Sequence, residues 1–247
     1  MRFMNEHNWS IKKLIKDIMM SATYRQDSKV TEEHIALDPS NRLLGRGPRI
    51  RLSAEQVRDQ ALAASGLLSD KMYGKPVMPY QPPGVWMSVY NGGKWEQSRD
   101  EDLYRRSVYT YMKRTSTYPA FMMFDASSRE VCISRRVRTN TPLQALVTLN
   151  DSTYIVASRH LAKRMMENGN DPDQWIRAGY RMLIVRDMPA AKVGIFRNLF
   201  NEALTQYRRD RESGQLLVSN NDASPEVAAM TVVANALLNI DEAIMKE

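Results

Sequence analysis

Residues 121–151 read FMMFDASSREVCISRRVRTNTPLQALVTLND, and the second half of this stretch decides the fold. Thr141 stands before Pro142, with Gln144 at the third helical position. A capping residue, a proline at the first helical turn and a box-completing glutamine together predict a helix start at 141–142.

From that start the chain reads as helix after helix. Residues 152–167 predict a helix with Tyr154, Ile155, Leu161 and Met165 as its inner face. Asp171-Pro172 with Gln174 signals the next, and Trp175, Ile176, Tyr180, Leu183 and Ile184 line one side of it. Pro189 opens another, carrying Val193, Phe196, Phe200, Leu204 and Tyr207. Residues 211–223 are polar and read as loose chain. Ser224-Pro225-Glu226 then starts a last helix with Ala229, Val232, Val233, Ala236, Leu237 and Ile240 as its apolar positions. The C-terminal half is therefore expected to be antiparallel helices joined by short loops.

Upstream of the focal stretch the signals are more mixed. YRRSVYTYMKR (104–114) alternates with a period of two and predicts a strand ended by Tyr118-Pro119. Residues 70–100 are rich in proline and glycine and predict a long irregular loop, with a hairpin turn at Asn91-Gly92. Ser53 and Gln56 form a capping box for a helix running to Gly66. Residues 38–52 are turn chemistry with Arg42, Arg46, Arg49 and Arg51 as a first basic cluster. Ser10 caps an amphipathic helix over 9–20, with Lys12, Lys13 and Lys16 between Ile11, Leu14, Ile15, Ile18 and Met19; the SATYRQDS stretch (21–28) ends it in a turn. The expected fold is mainly α: an irregular helical domain with a small β element near 104–114, a long Pro/Gly-rich loop and a helical C-terminal half. It reads as a single domain over 1–247, with a helix, loop and strand part (1–120) and a helical part (121–247).

Composition narrows the function classes. With 43% hydrophobic and 26% charged residues among 247, the chain is globular in character. One cysteine excludes an intrachain disulfide framework and a Cys-rich metal site. The three histidines, His7, His34 and His160, have no metal-ligand spacing, so no metal is expected. Glycine spacings match no phosphate loop or dinucleotide fingerprint, no nucleophile elbow is present, and no cofactor is expected in this chain. No apolar run has the length of a membrane span. The formal charge of +7 suits an anionic partner. Nucleic acid is not favoured: no recognised binding motif is present, and the basic clusters at 42–51 and 129–138 do not share a helix.

The candidate site lies in the focal stretch. Arg135, Arg136 and Arg138 arrive just before a helix start at Asn140, Thr141 and Gln144, where free N–H groups and the helix dipole favour an anion. The competing reading pairs these arginines with Asp125, Glu130 and Asp151 to fix the loop. Cys132, between Val131 and Ile133, is expected to be buried and inert, unless the arginines beside it make it reactive. A second reading makes the chain part of an enzyme, with Tyr24, Arg25, Asp125, Arg129, Asn140 and Gln144 lining a site that an upstream domain completes.

Several blocks carry a resemblance: SATYRQ, DPSNRLLGRGPRIRLSAEQVRDQAL, YRRSVYTYMKRT, FDASSREVC, RRVRTNTPLQALVTLND and VVANALLNIDE. In this order they resemble the blocks of a planctomycete domain of unknown function found at the C-terminal end of large, secreted, planctomycete-type cytochrome c proteins. The sequence departs at Gly45, where a bulky residue is expected, and at Ser152, where proline is usual. The resemblance implies upstream domains in the same protein, among them a signal peptide and often a haem-bearing cytochrome c module. It also implies a periplasmic or cell-surface location for the parent protein. Met1 is then expected to be an internal start or a fragment edge. No reaction is attached to that family. The function expected is a binding or scaffolding module for an anionic partner, an acidic polysaccharide or a companion protein.

Overall fold

The computed structural model describes residues 2–85, 94–220 and 223–246. The hairpin expected at Asn91-Gly92 lies outside the described residues. Contacts divide the chain into two bodies, residues 1–51 with 245–247, and residues 52–244.

The first body contains short helices α1 (Arg2–Asn5), α2 (Ile11–Met20) and α3 (Glu32–Leu37), and a two-stranded antiparallel sheet of β1 (Ile50–Arg51) and β2 (Met245–Lys246). Ser10 accepts from Lys13 N, as its position predicts, and Thr31 caps α3 through His34 N. No residue of α2 is buried, and Ile11, Ile15, Ile18 and Met19 are exposed. Of the basic cluster, Arg46 is spent on its own turn: its guanidinium donates to the Asp38 and Pro39 carbonyls, while both Asp38 carboxylate oxygens accept backbone N–H groups, from Arg42 and Leu43. Gly47 fits here because a Cβ would lie 2.5 Å from the Gln26 carbonyl oxygen.

The second body holds the hydrophobic core, all of whose buried members fall between Ala54 and Ile244. It begins with α4 (Ala54–Ser65), whose Ser53–Gln56 capping box forms as expected. Gly66 closes the helix in the left-handed region at φ 77°, which a side chain would strain. After a long loop come α5 (Pro119–Met123), α6 (Pro142–Asn150), α7 (Ser152–Glu167), α8 (Pro172–Ile184), α9 (Ala190–Arg209), α10 (Arg211–Val218), α11 (Pro225–Leu238) and α12 (Asp241–Ile244). The fold is mainly α with a small β element, as its sequence predicts. Position 120, where the sequence divides into two parts, lies inside α5.

Helix α11 is the centre of this body and packs on α7, α9 and α10. Ala229, Met230, Val233, Ala234 and Leu237 on α11, with Leu161, Ala162 and Met165 on α7, have no exposed surface. The alanines let the backbones approach and the larger residues fill the gaps between them. Ser224 and Asp171, the features that made their starts legible, cap α11 and α8 through side-chain oxygens, and Asp151 caps α7 in the same way.

Two elements differ from the sequence reading. The β element is not at 104–114: that segment forms 3-10 turns at Asp100–Tyr104 and Ser107–Tyr109, with isolated bridges Ser69↔Arg105 and Val77↔Thr110. Burial alternates only over 105–108, where Arg105 and Ser107 are buried between exposed Arg106 and Val108; buried Thr110 breaks the phase. The reason is that this face meets loop carbonyls and the Arg58 and Asp59 side chains of α4, not a second strand. The buried Arg58 guanidinium donates to the Arg105 and Leu103 carbonyls at 2.9 and 2.7 Å. The buried Arg105 guanidinium donates to the Lys71, Tyr73 and Lys75 carbonyls and lies 3.9 Å over the Tyr109 ring. Residues 211–223, read as loose, contain α10, capped by Asp210 through Ser213 N at 3.1 Å. Its Gly214 is buried, where a Cβ would press on Ala228 and Tyr207. This glycine is the point of close packing between α10 and α11.

Candidate functional site: a pinned loop and an inverted helix

The focal stretch folds as a surface loop fastened at its base. Asp125, at φ 58°, accepts from Thr139 N and Thr139 Oγ1 on one carboxylate oxygen, at 2.7 and 2.8 Å. Gln144 Nε2 reaches the same oxygen at 3.3 Å and Thr139 Oγ1 at 3.2 Å. These bonds join the two ends of the segment between 125 and 139, the arrangement of an Ω-loop. A second fastening comes from α4: Arg136 Nη1 contacts both carboxylate oxygens of Glu55 at 2.9 and 2.8 Å.

Electrostatics support the second fastening. Burial would raise the Glu55 pKa, but the hydrogen bond and charge of Arg136 overcome it and hold the carboxyl below its usual range. The hydrogen bond from the same pair raises Arg136.

The expected anion site is therefore divided. Arg136 faces its own acid, as the competing reading allows, although through Glu55 and not through Asp125, Glu130 or Asp151. Arg129 and Arg135 are exposed, as are Arg138 and Asn140. Asp125 is taken by Thr139 and Gln144. Thr141 precedes α6 without a side-chain cap, so the capping box does not form, although the helix starts where expected. The reason is that Gln144 is turned inward to the loop base and is only 1% exposed. Cys132, expected to be buried, is exposed, because Val131 and Ile133 on either side also point outward. Tyr24 and Arg25 belong to the first body, where Lys246 Nζ lies 4.3 Å over the Tyr24 ring.

Helix α6 is inverted relative to an ordinary surface helix. Beside Val147, which packs on the core, its inner side carries polar groups: Gln144 at the loop base, and Thr148, whose Oγ1 donates to Asn239 Oδ1 at 2.7 Å and whose carbonyl accepts from Asn235 Nδ2 at 3.2 Å. Its outer side carries Leu143, Leu146 and Leu149, exposed at 58%, 53% and 37%. The loop before it adds exposed Val131, Ile133 and Val137. Sequence reasoning passed over these leucines, although Gln144 and Thr148 at a spacing of four mark the opposite face.

Beside this surface lies a buried cluster of titratable groups. Burial, and the charge of Asp151, push Tyr118 up to about 12. Tyr154 is raised chiefly by burial, as is Asp151, which caps α7 through Thr153 N at 2.8 Å. Tyr118 donates to the Tyr80 carbonyl at 2.8 Å and stacks on Trp95 with ring centres 5.9 Å apart. Each of these contacts is an internal one, suited to fixing the loop on the core.

Among the described residues no group of three His, Cys, Asp or Glu side chains stands together as a metal site, and no helix is long and apolar enough to cross a membrane. A model of the family described as PSD1, protein of unknown function (DUF1553), matches residues 1–200. The chain belongs to that family. The match ends within α9, so α10 and α11 lie beyond it. No curated protein and no solved structure matches the chain.

Proposed function

We propose that this chain is a binding or scaffolding module that engages an anionic partner through the loop carrying Arg129 and Arg135. One observation carries the reading: the loop is held at Asp125–Thr139–Gln144 and at Glu55–Arg136, while Arg129 and Arg135 remain exposed. A loop fastened at two points loses little conformational freedom on binding, so its exposed cations act at full effect. The Arg136 guanidinium belongs to the fastening and not to the partner.

The partner classes are an acidic polysaccharide and a companion protein, including upstream domains of the same protein. The motif resemblance supports a parent protein of the planctomycete cytochrome-linked type, exported to the periplasm or cell surface, with any haem in an upstream domain. A gene encoding a signal peptide and a Cys-x-x-Cys-His upstream of Met1 is the expected finding; an in-frame stop there removes this part of the proposal.

The binding claim is tested with heparin and polygalacturonate as anionic polymers, and with an acidic synthetic peptide. Arg129→Gln with Arg135→Gln is expected to weaken binding at least tenfold and to flatten its salt dependence. Unchanged binding by the double variant, or no binding by the native chain, would overturn it. The alternative, a half-site of an enzyme, gains no support from Asp125 Oδ2 and Gln144 Nε2, which are committed to each other and to Thr139.

A further inference from the structure

Helix α6 buries its polar side in satisfied hydrogen bonds and leaves its leucines in water. Rotating the helix would not repair this, because Gln144 and Thr148 would then lose the partners that hold the loop base and Asn239. Covering the exposed parts of three leucines in a row removes apolar surface from water, which favours an apolar ligand. Single exposed apolar residues are ordinary; a stripe along one helix, beside exposed Val137, is not.

We infer that the Leu143–Leu146–Leu149 face of α6 is the docking site of an acidic, apolar protein segment. The inference rests on the anionic-partner reading and names the class of that partner. Charge complementarity selects it. The preceding loop exposes Arg129 and Arg135, with Glu130 as an exposed acid, within a chain of net charge +7. A second copy placed face to face would oppose these arginines to each other. A hydroxyl-rich acidic polymer would satisfy the arginines and leave the leucines wet. A segment with leucines or similar residues at helical spacing and flanking carboxylates satisfies both, in the manner of a helix laid on a helix face.

The probe is a synthetic helical peptide with leucine at i, i+3, i+4 and i+7 and glutamate elsewhere. Controls are the same peptide with serine for leucine, the same with lysine for glutamate, and heparin. Binding is read by fluorescence anisotropy on the full chain, with circular dichroism showing that each variant is folded. The native chain is expected to bind the Leu/Glu peptide at least tenfold tighter than either control peptide. Leu143→Ser with Leu146→Ser is expected to lose at least tenfold for that peptide and nothing for heparin. Arg129→Gln with Arg135→Gln is expected to weaken both.

If the leucine variant binds the peptide like the native chain while the arginine variant does not, this inference fails and the anionic-partner reading stands. If the arginine variant binds both probes normally, the underlying reading fails. Self-association of the native chain in sedimentation, abolished by the leucine substitutions, would overturn the inference in favour of a second copy as occupant.

Discussion

Arg136 and Glu55 form the contact that separates a structural arginine from its exposed neighbours. Both side chains are partly buried, so the pair is worth about 1 kcal/mol. Arg136→Gln is expected to destabilise the chain by roughly that amount in urea titrations at neutral pH. Glu55 is held below its ordinary value, so its contribution is present above the unfolded pKa and is lost as pH falls through the folded one. The gap between native chain and variant should therefore close in acid. Asp151 has the opposite sign. Burial raises it, so the folded state becomes less favourable as pH rises from the unfolded value through the folded one. Asp151→Asn keeps a good cap and removes the buried charge. It is expected to be at least as stable as the native chain at neutral pH, with a flatter pH profile; a loss beyond about 1 kcal/mol would contradict this. At this scale the sequence marks which residues are charged and near one another in the chain. It does not mark that Arg136 would meet a residue of α4, because that pairing is made by the fold.

Caps and apolar periods are local chemistry, and at the scale of elements they are read well: α2, α4, α8, α9 and α11 begin where Ser, Asp or Pro signal them, and α7 follows from its apolar spacing. The failures share a cause. Alternation at 104–114 looked like a strand, but its buried Arg105 turns to loop carbonyls and its buried Ser107 accepts from Arg58 of α4. Residues 211–223 looked loose, but α10 packs on α11 there, with Gly214 at the contact. Gln144 looked like part of a cap, but closes a loop. In each case a tertiary partner overrode the local rule. One terminus invites a direct test. Val185 ends α8 at φ 60° and is 83% exposed, a left-handed conformation that a β-branched residue adopts at a cost. Val185→Gly is expected to raise stability by about 1 kcal/mol in thermal or urea unfolding. At the loop base, Asp125→Ala leaves the buried Gln144 amide with a poorer set of acceptors. It is expected to cost about 1–3 kcal/mol and to speed hydrogen exchange at the Thr139 amide.

Across the whole molecule the buried core belongs to residues 52–244, so that segment alone is expected to unfold cooperatively, as followed by circular dichroism. The same body displays, on one stretch of chain, exposed arginines, a doubly fastened loop and a helix with its leucines outward. The central claim is that this stretch is where a partner lands. The most direct measurement is amide hydrogen exchange of the full chain with and without the Leu/Glu peptide. Protection confined to the segment from Arg129 to Leu149 is the expected result. No protection there, or protection located elsewhere in the chain, would contradict the account.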